Sequence, residues 1–357
     1  MRKGECDMVT HSKPSIEQDD ISAISEVLNS EQIAQGPMVD KFERELSEFI
    51  GVREGVATNS GTSALHLASL ALDIKEGDEV IIPSYVCTAL LNAINYVHAK
   101  PVVTDINMED FNISVSDIEK KIGEKTKAII VPHMFGLAAD IDELLNFGVT
   151  VIEDCAHSIG AAYKGKMVGS FGAISMFSFY ATKMLATGEG GMAVSNSDEL
   201  LERMRDLREY DFKSDYKVRY NYKMTDVQAA LGLTQLSKLP TFIDKRRLIA
   251  NYYTDEFSGI DAILPTSKKH KEHVFYRYVV RVNEDIDIKK CFAEFKKKNV
   301  MCNSPVYKPL HVYLGLSKKD FINTEEIMDS AISIPIYPSL TENEMNYISS
   351  VVKEVLK

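Results

Sequence analysis

Three short stretches of this chain carry residue types that could do chemistry together. The first, Asn59-Ser60-Gly61-Thr62-Ser63, stands directly before an apolar run. A glycine followed by hydroxyl residues at a helix start offers free backbone N–H groups, side-chain donors and the positive end of the helix dipole, a combination suited to phosphate. The same letters also make an ordinary Ser/Thr helix cap. The second stretch, Val149-Thr150-Val151-Ile152-Glu153-Asp154, closes an apolar strand-like run with two carboxylates. A buried carboxylate is costly unless paired or solvated, although an aspartate there could also cap the loop that follows. The third, Ser178-Phe179-Tyr180-Ala181-Thr182-Lys183, places a lysine after a strand and before the glycine turn Gly188-Glu189-Gly190-Gly191. Alone, a lysine in such a place is far more often a solvated surface residue. The glycine turn opens no helix in a βαβ unit, which excludes a dinucleotide-binding fingerprint.

A phosphate cradle, a carboxylate and an amine at the mouth of one sheet are what pyridoxal 5'-phosphate (PLP) requires. Its aldehyde forms a Schiff base with a lysine, its pyridine nitrogen stays protonated beside a carboxylate, and its phosphate needs an anion site. The conjunction is far more specific than any of its parts. A zinc site from His133, Asp154, Cys155 and His157 lacks metal-ligand spacing, and no metal is expected.

These residues must be positioned by regular elements. Between Gly51 and about Ser195, β-rich runs alternate with helical stretches: Val80–Ile82, Pro101–Val103, Ala128–Val131, Val149–Ile152, Ile174–Phe177 and Met192–Val194 read as strands. Ser63–Leu72 is apolar nearly all round and reads as a buried helix. That alternation predicts an α/β fold with a mostly parallel sheet covered by helices on both faces, its ligand at the carboxyl ends of the strands. Beyond Ser195, Asp198–Arg208 and Thr225–Phe257 read as long helices, the second broken near Pro240. FYRYVVRV reads as a strand, and Ile288–Lys298 and Glu342–Leu356 as helices. The expected organisation is a large domain over 1–244, including an N-terminal arm, and a smaller C-terminal α+β domain over 245–357.

With 357 residues, 45% hydrophobic and 26% charged, the chain has ample material for a buried core and is not disordered. A net charge of −11 argues against a nucleic-acid or anionic-membrane partner. No apolar run approaches the ~18 residues of a membrane helix, and the first residues lack the apolar stretch of a secretory signal. Five scattered cysteines without a C-x-x-C pair fit a reducing compartment. The expectation is a cytoplasmic protein.

Longer motifs carry a resemblance. NSGTSALHLASLAL, DEVIIPSYVCTALLNAI, KPVVTDI, VIEDCAHSIGA, FSFYATKMLATGEGGM and YNYKMTDVQAALGL, with SKPSI, AQGPMVDKFE, YKPLH and SIPIYPSLT, resemble the DegT/StrS family of PLP-dependent sugar aminotransferases over nearly the whole chain. The resemblance implies a type I aminotransferase fold and a homodimer with shared active sites. It implies that Lys183 is the Schiff-base lysine and proton shuttle, that Asp154 holds the pyridine nitrogen, and that His157 lies near the ring oxygen or stacked beside it. Gly61, Thr62, Ser63 and Ser178 would form the phosphate site, and Asn221 would reach the phosphate of the partner's cofactor. Two departures stand out. Cys87 occupies the place of the usual stacking aromatic, with Tyr85 the substitute if the register is off by two. Lys223 replaces the usual arginine and loses its bidentate geometry. Lysine at 183, where dehydrating relatives have histidine, favours transamination. The expected reaction moves an amino group from an amino acid, L-glutamate by resemblance, to a keto sugar carried on a nucleotide diphosphate, with Arg219 and Lys308 as candidate diphosphate contacts. Alternatives are a relative that acts on a non-sugar carbonyl or dehydrates, and a PLP-binding regulatory protein. No helix-turn-helix extension supports the last.

Overall fold

The computed structural model describes residues 8–357. Its centre is a seven-stranded sheet built from β1 (Glu54–Thr58), β2 (Glu79–Pro83), β3 (Lys100–Thr104), β4 (Thr126–Pro132), β5 (Thr150–Asp154), β6 (Ile174–Ser178) and β7 (Gly191–Ser195). The spatial order is β1-β7-β6-β5-β4-β2-β3. All neighbours run parallel except that β7 is antiparallel to both β1 and β6. Six of these strands coincide with runs legible as strands; β1 does not, and it lies at the sheet's edge.

The sheet is buried on both faces, as its apolar runs require. Val80, Ile82, Ile130, Ile152 and Met176 point into one core with the helix Gly61–Ala71. Ile81, Ile129, Val131, Val151 and Phe177 point into the other, with Phe42 and Leu46 of the helix Pro37–Ile50. The two-residue alternation has a direct consequence at the end of β5. Glu153 follows Val151 into the second core, while Asp154 follows Ile152 to the opposite face. β5 is the middle strand, and Asp154 is in register with Pro132 on β4 and Met176 on β6.

The helix Asp226–Glu256 runs through Pro240 without interruption, so the expected break does not occur. Pro240 is exposed, while Leu239, Phe242 and Ile243 beside it are buried. Packing of that apolar stripe holds the helix despite the backbone donor that proline lacks. Beyond it, Tyr278–Val282 pairs antiparallel with Ala262–Ile263 on one side and Ala331–Ile334 on the other. A third core gathers Tyr253, Phe257, Tyr278, Phe295, Ile332 and Val352, and Val9 joins it through a parallel bridge to Val300. Among the described residues, no helix is long and apolar enough to cross a membrane.

Candidate active site

Asp154, His157, Lys183 and Cys87 all line one cavity of about 400 Å³ at the carboxyl ends of the central strands, with Tyr276, Arg277, Tyr307 and Lys308 closing it from the C-terminal part of the chain. Asp154 is buried, and its Oδ1 accepts the Ala156 N–H at 2.9 Å. Burial raises its carboxyl above the ordinary range, while the Ala156 amide and the Lys183 charge pull the other way. Such a carboxylate is short of compensation and suits a cationic N–H facing it.

Glu153, one residue earlier, has a different fate. Its carboxylate accepts from His133 Nε2 at 3.0 Å, from the amides of Gly169, Phe171 and Gly172, and from Ser175 Oγ. Burial opposes its charge, but the His133 and backbone donors outweigh burial and hold its carboxyl below the usual range. The Ala139 N–H donates to His133 Nδ1, so the proton sits on Nε2. His133, Glu153 and Cys155 present ligand-type atoms within 4.8 Å of one another. The first two are engaged in these structural hydrogen bonds, and Asp154 and His157 lie outside the group.

His157 stacks on Tyr276 with centroids 4.3 Å apart and on Phe135 at 6.1 Å. Burial, with the Lys183 and Arg277 charges, pushes its pKa well below the ordinary imidazole value, so its ring is neutral. Lys183 Nζ sits 5.2 Å from the Tyr276 ring centroid. Burial alone would raise the Tyr276 phenol, but Lys183 and Arg277 overcome it, and the group is brought down to about 8. Cys87 is exposed to the cavity; desolvation, then the Asp154 charge, raises its thiol. Tyr85 is no substitute for a stacking ring: it is fully buried, against Phe111 and Phe135.

None of Gly61, Thr62, Ser63, Ser178 and Asn221 lines this cavity; the hydroxyl stretch packs instead against Met176 and Ser178 of β6, the strand next to the one that carries Asp154. Ser60 caps the helix Gly61–Ala71, its Oγ accepting the Ser63 N–H at 3.1 Å. The Ser63 hydroxyl donates to Asn59 Oδ1 at 2.7 Å, so the cap itself occupies this residue. Among the described residues, the amides of Gly61 and Thr62 and the hydroxyls of Thr62 and Ser178 have no protein partner. A Cβ on Gly61 would come within 2.9 Å of Ser178 Cβ, and one on Gly191 within 2.5 Å of the Ser60 backbone. Both glycines are needed for the close approach of β6, β7 and the helix start. Asn221 is exposed, and Asn59 Nδ2 bonds its carbonyl at 3.2 Å. Arg219 is paired with Asp206 and Asp215, and Lys223 with Asp211. Lys308 faces the cavity with its Nζ 4.4 Å from the Tyr313 centroid.

One buried chain of hydrogen bonds ties the cavity's two walls. Ser84, just after β2, bonds His311 Nδ1 at 2.6 Å, and His311 Nε2 bonds Glu325 at 2.8 Å. The Leu310 N–H also donates to the Ser84 carbonyl. Tyr276 and Arg277 went unnoticed in sequence because FYRYVVRV looks like any strand; the strand itself begins at Tyr278, and the two residues before it turn into the cavity.

The sequence profile of the DegT/DnrJ/EryC1/StrS aminotransferases matches residues 14–353. The chain belongs to the DegT/DnrJ/EryC1/StrS aminotransferase family. It is 37% identical to the uncharacterized protein MJ1066 of Methanocaldococcus jannaschii, over 96% of each chain. It is 32% identical to GDP-perosamine synthase of Vibrio cholerae, covering 97% of this chain and 98% of that one. The putative sugar aminotransferase Spr1654 of Streptococcus pneumoniae superposes with a TM-score of 0.91 at 28% identity, covering 98% of this chain and 97% of that one, in a PMP-form; a PLP-form superposes equally well. Membership makes the chain a PLP-dependent sugar aminotransferase. The under-compensated Asp154, and the Lys183 amine and Gly61 helix-start donors that have no partner among the described residues, fit that cofactor.

Proposed function

We propose that this sugar aminotransferase takes an amino group from an amino acid, L-glutamate as the first candidate, and delivers it to a keto sugar carried on a nucleotide diphosphate. The observation that carries the reading is the convergence of Lys183, Asp154 and His157 on one cavity, with the Gly61 helix start packed on the strand next to Asp154. The relatives' names point to nucleotide-linked sugars. PLP supplies an aldehyde for amine exchange and a ring that takes up the electrons released at the substrate carbon. Lys183 would hold the cofactor through Nζ, and its amine is placed to collect a proton from the donor's Cα and return it to the neighbouring carbon. Asp154 holds the pyridine nitrogen protonated, with its neighbours denying it any stronger partner. His157, neutral and stacked, packs beside the ring without adding positive charge. The Gly61 and Thr62 amides, with the Thr62 and Ser178 hydroxyls, hold the phosphate, and Ser63 fixes the cap that aims them. Cys87 contributes a small wall where a ring would stack. Asn221, with its side chain exposed, reaches the phosphate held by a second copy of the chain in a homodimer.

The test is the visible absorbance of the purified protein, first with L-glutamate and then with GDP- and UDP-linked keto sugars, beside a Lys183→Ala variant. Bleaching of the cofactor band by glutamate and its return with one keto sugar are expected, and the variant should do neither. A band untouched by every amino acid, or restored only by non-sugar ketones, would overturn the assignment.

A further inference from the structure

A second cavity of about 350 Å³ opens behind the first, with Thr182, Tyr276 and Arg277 in the wall they share. On its far side stand His11, Arg246 and Asn303. Two arginines therefore border a space in which neither has an acidic partner: among the described residues, no carboxylate pairs with Arg246 or Arg277. Arg246 is 3% exposed, and its Nη1 donates to the carbonyls of Phe275, Tyr276 and Ile336. Its Nε is buried without a partner, as is that of Arg277. Arg277 Nη1 reaches His11 Nε2 at 3.2 Å, and Ser333 Oγ lies 2.8 Å from the same nitrogen. A nitrogen that accepts from an arginine is unprotonated, so His11 adds no charge of its own. Burial and the two arginines keep it neutral, with a pKa of about 3.

Arg277 is half-buried, with its Nε shielded and unbonded, and a guanidinium so placed without an acidic partner is costly. Such a group is a binding element for an oxyanion that arrives from solution. Its position says which one. The Arg277 guanidinium carbon lies 5.3 Å from the Tyr276 centroid, and Lys183 Nζ lies 5.2 Å from the same point. Arg277 and the reacting amine therefore flank one ring, and both line the first cavity. Arg246 is largely committed to backbone carbonyls, so Arg277 presents one free positive charge in a planar fork. That matches a single carboxylate better than a diphosphate, which calls for two or more charges.

We propose that Arg277, backed by Arg246 and held by His11, anchors a carboxylate of the amino donor. The proposal rests on the aminotransferase reading and adds the donor's seat to it. Arg277 fixes which amines can present their Cα to Lys183, so neutral amines bind poorly. Arg246 positions the loop that carries Arg277 through its carbonyl contacts. His11 places the N-terminal arm directly in donor recognition.

The experiment is titration calorimetry of the cofactor-loaded full chain with succinate, an unreactive dicarboxylate, and separately with UDP and GDP. Wild type is compared with Arg277→Gln and Arg277→Lys, and melting temperature is recorded for each. Removal of one charge-assisted anchor should weaken succinate by about 10- to 100-fold in Arg277→Gln. Arg277→Lys should recover part of that, and both nucleotides should bind as in wild type. Unchanged succinate affinity, or no succinate binding by wild type, overturns the proposal. Loss of nucleotide but not succinate binding overturns it in favour of a diphosphate contact. Parallel loss of both probes overturns it as well, since it reports only a weaker positive field or a damaged fold. Failure of the aminotransferase reading shows separately, as a wild-type protein without a visible cofactor band.

Discussion

Tyr276 offers a way to measure the electrostatics of the cavity directly. Its phenol is buried, which disfavours the charged form, yet Lys183 and Arg277 bring it from an ordinary value of 10 to about 8. The sign of the consequence follows from linkage. Between pH 8 and 10 the folded protein has released this proton while the unfolded chain still holds it, so stability rises with pH across that window and the contribution vanishes below pH 8. At ~1.4 kcal/mol per pH unit, the full effect is on the order of 3 kcal/mol. The assay is near-ultraviolet tyrosinate absorbance of the cofactor-free protein as pH is raised, taken as the difference between wild type and Tyr276→Phe, because 16 tyrosines contribute to the raw signal. One phenol should titrate near 8, well before the others. In Lys183→Ala its midpoint should climb toward 10, since the largest opposing charge has gone. A midpoint that stays near 10 in wild type, or that ignores the Lys183 substitution, would refute the reasoning.

Four further variants have expected outcomes. Gly61→Ala drives a Cβ to within 2.9 Å of Ser178 Cβ; it should cost about 1–3 kcal/mol of stability and weaken PLP binding, read by cofactor titration and melting temperature. Ser84→Ala strips His311 of its Nδ1 partner; a loss of about 1–3 kcal/mol in denaturant unfolding is expected, together with lower turnover because the Tyr307–Lys308 wall loosens. Glu153→Gln replaces an acceptor of several N–H groups by a side chain that itself donates. Destabilisation of about 3–5 kcal/mol is expected, whereas Asp154→Asn should leave the melting temperature of the cofactor-free protein nearly unchanged while abolishing amino transfer.

Part of this was legible in the chain alone. The β5 run ends in Glu153-Asp154, and strand pleating decides which of the two enters the cavity, a distinction that needs the register and not only the letters. Lys183 and Asp154 stood out because they lie beyond or at the end of a strand of the same sheet, whereas His157 and Cys87 came only with the family motifs. The rest of the cavity comes from afar. Tyr276, Arg277 and Tyr307 are brought in by packing of the C-terminal part, and no local pattern marks them. The Pro240 break failed for a related reason: local propensity argues for a break, and a long apolar stripe packed against the neighbouring core overrides it. The antiparallel β7 was also invisible, since a short apolar run carries no sign of its direction.

The bridge from Val9 to Val300 and the closure of the cavity by residues up to Tyr313 bear on the order in which the protein is made. All seven strands of the large sheet, and Lys183 with its glycine turn, have left the ribosome once Ser195 has. The cavity's other wall is synthesised later, after a delay of roughly ten seconds at ordinary elongation rates. Until then the residues that close the cavity over Lys183 do not exist. The chain's first described residues wait for a partner segment that has not yet been translated.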